Sequence, residues 1–148
     1  MNKYVKQYAE REVNKYITVN EIYLYQWNEL TVSNIASTCD LAIIPIDLNN
    51  SMDWGKPENK LLIFWLMGIP TIVSSTPAHL RAMSEAGLSM HCENTSDWVE
   101  LIEYMINNKE ARIDSAQKGF THASYINSEE RIMSLWDDLF NFVKVLKQ

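Results

Sequence analysis

The sequence predicts an α/β domain, an open parallel sheet of about four strands flanked by helices. Three observations carry that expectation. Apolar runs of strand length alternate with amphipathic stretches of helix length along most of the chain. One run, Leu41-Ala42-Ile43-Ile44-Pro45-Ile46, is apolar throughout, the pattern of a parallel strand covered on both faces. The segment Lys56 to Ser75 reads as half of a βαβ unit: a charged turn, an apolar helix, a Gly68-Ile69-Pro70 turn and a buried strand. The 148 residues are the size of one domain, 1–148, without internal repeat, linker or low-complexity tract.

The elements follow in order. Tyr4, Val5, Tyr8, Ala9, Val13 and Tyr16 have near-helical spacing and predict a helix over 2–16. Aromatic and branched residues between Asn20 and Trp27 predict a strand. Thr31 suits the cap of a short helix reaching Ala36 or Ser37. The strand 41–46 comes next, with Pro45 near its end, where a lost ladder hydrogen bond costs least. A polar loop spans 47–56, and Pro57 suits the first position of a helix that runs to about Met67 and exits at Gly68. Thr71 to Ser74 is a strand. Thr76 and Pro77 then open a helix to about Glu85, which Gly87 stops, before a short strand from Leu88 to Cys92. Ser96 is placed to cap a helix with Trp98, Leu101, Ile102, Met105 and Ile106 on one stripe. A helix over 109–123 follows. Asn127 and Glu130 have capping-box spacing before a last helix with Ile132, Leu135, Trp136, Leu139, Phe140 and Val143.

Bulk composition narrows the function classes. The chain is 47% hydrophobic and 22% charged, which is globular rather than disordered. A net charge of −6 and the absence of a basic cluster disfavour nucleic-acid binding, which needs a face that neutralises phosphates. Cys39 and Cys92 lack metal or redox spacing and read as small buried residues in a reducing compartment. No secretory pattern opens the sequence, and the longest apolar run, Leu61 to Met67, is too short to span a bilayer. The expected location is cytoplasmic, with no transmembrane segment. His79, His91 and His122 have no zinc-ligand spacing, so no metal is expected. Neither Gly-x-Gly-x-x-Gly nor a Walker motif is present, and no cofactor is expected.

Open parallel sheets bind ligands beyond the carboxyl ends of their strands. Two strand-to-helix loops qualify: Asp47 to Lys60, and Ser74-Ser75-Thr76. Both lead to helix N-termini, where unpaired N–H groups and the helix dipole favour anions. The candidate contacts are Lys56, Glu58, Asn59, Lys60, Ser75 and Thr76. The lysines would neutralise a diphosphate and the others would hydrogen-bond. Structural roles stand beside these: solvated lysines, Glu58 as a complement to the helix dipole, and serine and threonine as caps. Trp65, Trp98 and Trp136 fall on apolar stripes and read as core. Trp54, in the polar loop, either stacks on a base or sugar ring or covers the loop.

Cys39-Asp40-Leu41-Ala42-Ile43-Ile44-Pro45-Ile46, Lys56-Pro57-Glu58-Asn59-Lys60-Leu61-Leu62 and Gly68-Ile69-Pro70-Thr71-Ile72-Val73-Ser74 together resemble the C-terminal Rossmann-like domain of bacterial GT-B glycosyltransferases. The likeness covers residues 20 to about 100. It implies a domain that binds a nucleotide diphosphate sugar in a cleft facing an N-terminal acceptor domain, in polysaccharide or glycoconjugate biosynthesis. Lys60 matches a lysine often found at the start of this helix, and Glu58 and Asn59 fall in the donor-facing turn. The two glutamates that many retaining members carry eight positions apart are replaced by Gly55 and Ile63. The acceptor domain and the first two strands of the C-terminal domain have no counterpart. Strand 20–27 would then pair directly with 41–46, or the sheet edge would dimerise. The resemblance implies a donor-binding domain with little activity alone and names no catalytic residue. The alternative is a non-catalytic module of the same fold that self-associates or pairs with a complete glycosyltransferase.

Overall fold

The computed structural model describes residues 28–146. The chain divides into compact units between Val32 and Ser33, and the sheet belongs wholly to the second. The helix expected at 2–16 and the strand expected at 20–27 lie outside the described residues. Helix α1 (Glu29–Ala36) already includes Thr31, which therefore does not cap it.

Three parallel strands, β1 (Ala42–Ile44), β2 (Thr71–Ser74) and β3 (His91–Cys92), lie in the order β1-β2-β3 among the described residues. Ala42 pairs with Thr71, Ile43 with Ile72 and Ile44 with Val73, while Val73 pairs with His91 and Ser74 with Cys92. All four residues of β2 are buried, as a central strand requires. The run expected to be covered on both faces is not so throughout: Ile43, on β1, is 50% exposed. The expected strands 41–46 and 88–92 are shorter in the structure: beyond Ile44 the Ile46 backbone bonds to the Ser74 hydroxyl instead of a ladder partner, and Leu88 N is taken up by Met83 O at the end of the preceding helix.

The chain climbs from β1 through the short helix α2 (Ser51–Trp54) to α3 (Asn59–Leu66), then β2, α4 (Pro77–Glu85) and β3. Helices α3 and α4 end alike. Gly68 N donates to Trp65 O and Ile69 N to Phe64 O; Gly87 N donates to Ser84 O and Leu88 N to Met83 O. This paired pattern needs a left-handed residue, which Gly68 (φ 71°) and Gly87 (φ 66°) supply. Thr76 caps α4, its hydroxyl accepting from His79 N at 3.3 Å, with Pro77 in the first turn as expected.

The remaining helices are α5 (Thr95–Asn107), α6 (Lys109–Ile126) and α7 (Glu129–Leu146). Asn94, not Ser96, caps α5 in a reciprocal box with Asp97. The Glu93 N–H bonded to Asp97 holds that carboxyl below its usual range despite some burial, with Asn94 assisting. Ser128, not Asn127, accepts from the Arg131 N–H at the start of α7. α6 buries the small residues Ser115, Gly119 and Ala123 at four-residue intervals. Gly119 admits the ring of Trp65, which is fully buried. Leu61 and Trp65 of α3, Ile72 and Val73 of β2, Met83 of α4 and Met105 of α5 complete one core. Two expectations fail. Cys39 is exposed, whereas Cys92 is buried. Trp136, expected in the core, is 52% exposed, because none of the residues of α7 is buried.

Candidate functional site

The carboxyl end of β1 opens onto a cavity of about 380 Å³. Ile44, Pro45 and Ile46 form its floor, Asp47 and Asp53 one wall, and Lys56, Pro57, Asn59 and Lys60 another; His79 closes it. Its size falls within the range of small-ligand sites.

One hydroxyl shapes the floor. Pro45 has no N–H to offer the ladder, so β1 cannot continue pairing with β2. Ser74, 1% exposed, takes over: its Oγ accepts from Ile46 N at 2.7 Å and donates to Ile46 O at 2.9 Å. The chain is thereby tied to β2 at the point where it turns toward Asp47. That role was not anticipated from the sequence, although Ser74 was noted in the second loop.

His79 is the second residue the sequence did not single out. It is 1% exposed, and its Nδ1 lies 3.0 Å from Ser74 O. In the neutral ring this makes Nδ1 the protonated nitrogen, a tautomer assigned from the carbonyl partner, and leaves Nε2 as the acceptor. Burial pushes the imidazole pKa below 6.5, while the Ser74 carbonyl and the charge of Glu58 push the other way. The signal in the sequence was its place, three residues beyond a cap and on the first turn of α4.

The six candidate residues divide evenly. Lys56, Asn59 and Lys60 line the cavity; Glu58, Ser75 and Thr76 do not. Lys56 is ion-paired with Asp53, whereas Lys60 makes no ion pair among the described residues. Glu58 turns to Arg81, whose Nη2 donates to Oε1 at 2.6 Å. Its carboxyl feels burial first, which raises the pKa, but its own backbone N–H and Arg81 outweigh that and hold it below 4.5. Ser75 Oγ is hydrogen-bonded to His91 Nδ1 at 3.0 Å, and Thr76 serves as the cap described above. Trp54, 44% exposed, is not among the residues that line the cavity.

α3 begins with Glu58 as its N-cap, yet no side chain caps it. α4, α5 and α6 all have side-chain caps, from Thr76, Asn94 and Asn108. The leading N–H groups of α3 therefore keep their capacity for an acceptor. Together with Lys56, Lys60 and a proton on His79, they would hold an oxyanion; Asp47 and Asp53 limit how anionic that ligand can be. No group of three or more His, Cys, Asp or Glu suited to a metal ion occurs among the described residues. No described helix is long and apolar enough to cross a membrane. No family model matches this sequence, and no curated protein or solved structure is significantly similar to it.

Proposed function

We propose that the cavity beyond β1 binds the diphosphate of a nucleotide diphosphate sugar, and that the chain acts as a glycosyltransferase-like donor-binding domain with little activity alone. The observation that carries this reading is the uncapped N-terminus of α3 opening beside Lys60 and His79 at the carboxyl end of a parallel strand. Lys56 and Lys60 would neutralise the phosphates, Asn59 would hydrogen-bond them, and the α3 amides would donate to the remaining oxygens. His79 would donate from Nε2 once protonated. Its pKa is lowered in the protein, so an anion bound nearby must draw a proton from solution.

Titration of the chain with UDP, GDP, CDP, their sugars and inorganic pyrophosphate, followed by amide shifts and calorimetry, tests this. Saturable binding that weakens in Lys60→Ala and takes up a proton near pH 7, in a buffer-dependent heat that His79→Gln abolishes, is the expected result. No response to any of these compounds at millimolar concentration refutes the reading.

A further inference from the structure

We infer that the apolar face of α7 pairs with the same face of a second copy of this chain, the two helices antiparallel. The face is large. Ten of the eighteen residues of α7 are large apolar side chains at least 39% exposed, and all but Val145 fall on one half of the helix. Ile132, Leu135, Trp136, Leu139, Phe140 and Val143 run along its centre, and Trp136 and Phe140 stack with ring centroids 5.9 Å apart. Asp137, Asp138 and Lys144 lie at helical positions on the opposite half.

Area and charge identify the occupant. At about half exposure each, the nine side chains on that half present on the order of 900 Å². The largest apolar patch of a typical monomer is only roughly 300–600 Å². A standard interface takes about 800 Å² from each partner, so one α7 face against another suffices. The direction follows from the ends. Glu129 and Glu130 lie in the first turn, where they outweigh Arg131, and Lys144 lies in the last. An antiparallel pair sets each acidic end against the other chain's basic end and opposes the helix dipoles; a parallel pair would align like ends. The pairing is isologous, as a twofold dimer requires.

Sedimentation velocity of the full chain from about 1 to 100 μM should show a species of twice the monomer mass. Leu139→Asp and Phe140→Asp should each give monomers with unchanged helical circular dichroism, since both side chains are exposed. A cysteine cross-link reads the direction independently of those variants. In a Cys39→Ser background, Leu139→Cys lies near the midpoint of α7 and should oxidise to a covalent dimer, whereas Ile132→Cys should not. A wild-type monomer at 100 μM overturns the inference, whether Leu139→Asp then loses stability, showing the face covered within the chain, or the chain binds phosphatidylcholine vesicles. A dimer that survives both Asp variants, or one that cross-links through residue 132 rather than 139, overturns it equally.

Discussion

Gly119→Ala measures how closely α3, which carries Asn59 and Lys60, is seated on α6. A Cβ built on Gly119 would lie 2.5 Å from Trp65 Cδ1, 2.7 Å from Cγ and 2.8 Å from Nε1. These atoms belong to the stem side of a rigid ring with 0% exposure, so the ring cannot swing into solvent. Helix propensity alone would favour alanine by about 1 kcal/mol. Overpacking typically costs about 1–3 kcal/mol, and contact this short with a confined ring belongs at the upper end. The expected net loss is about 2 kcal/mol, or a fall in Tm of roughly 4–8 °C for a chain of this length. Thermal and urea denaturation followed by circular dichroism read it. In a Trp65→Leu background, where a flexible chain replaces the ring, the Gly119→Ala penalty should shrink by at least about 1 kcal/mol. A Gly119→Ala protein as stable as the parent, or more stable, refutes the reasoning, because propensity would then have won.

Four further outcomes are expected. The folded His79 binds a proton less readily than its unfolded counterpart, so its contribution lowers stability as pH falls below about 6.5 and is absent above it; His79→Gln should flatten that part of a urea-denaturation pH profile. Asn94→Ala removes the acceptor for Asp97 N at 3.1 Å and should cost about 1 kcal/mol by denaturant unfolding. Iodoacetamide should modify exposed Cys39 in the native chain and spare Cys92, whose thiol burial pushes up to about 11, until the chain unfolds; peptide mass mapping reads both sites. Asp53→Asn releases Lys56 and removes one negative charge from the cavity wall, so pyrophosphate should bind several-fold more tightly by calorimetry, with fold stability changed by less than about 1 kcal/mol.

Much of the α/β frame was legible because it rests on local chemistry. Gly68 and Gly87 follow apolar helices and take the left-handed conformation that ends them. Thr76-Pro77 opens α4 as its residue types suggest. What failed was decided by competition or by distance along the chain. Ser96 is a good cap, but Asn94 stands two residues earlier with Asp97 at the third helical position, and the reciprocal box wins. α2 was hidden in a polar loop because four residues cannot show a period. Trp136 fits a helical stripe as well as Trp65 does, yet only Trp65 is buried, against Gly119 from 54 positions away, while Trp136 stacks on Phe140 of its own helix and stays half exposed. Periodicity marks an apolar face; it does not say what covers it. The candidate site was half legible for the same reason. The lysines and Asn59 were found by their place at a helix start, whereas His79 and the Ser74 hydroxyl join it through contacts across the sheet.

The residues that leave the cavity explain its character as much as those that enter it. A glutamate before α3 could fold back over the first amides of the helix and neutralise them. Instead the carboxylate engages its own backbone N–H and the guanidinium of Arg81, on the neighbouring helix α4, and both keep it ionised. The helix start is left without a side-chain cap, and Glu58 does not line the cavity although its charge still acts on His79. Ser74 does the complementary work from the sheet. It fixes the turn after Pro45 with its hydroxyl and orients His79 with its carbonyl. A single buried residue of β2 thus sets both the floor of the cavity and the ring nitrogen that remains for a ligand. Substituting Ser74 would therefore alter the site through two elements at once, whereas substituting Lys60 would remove charge and leave the geometry intact. Positioning and charge are thus carried by different residues, Ser74 and Lys60.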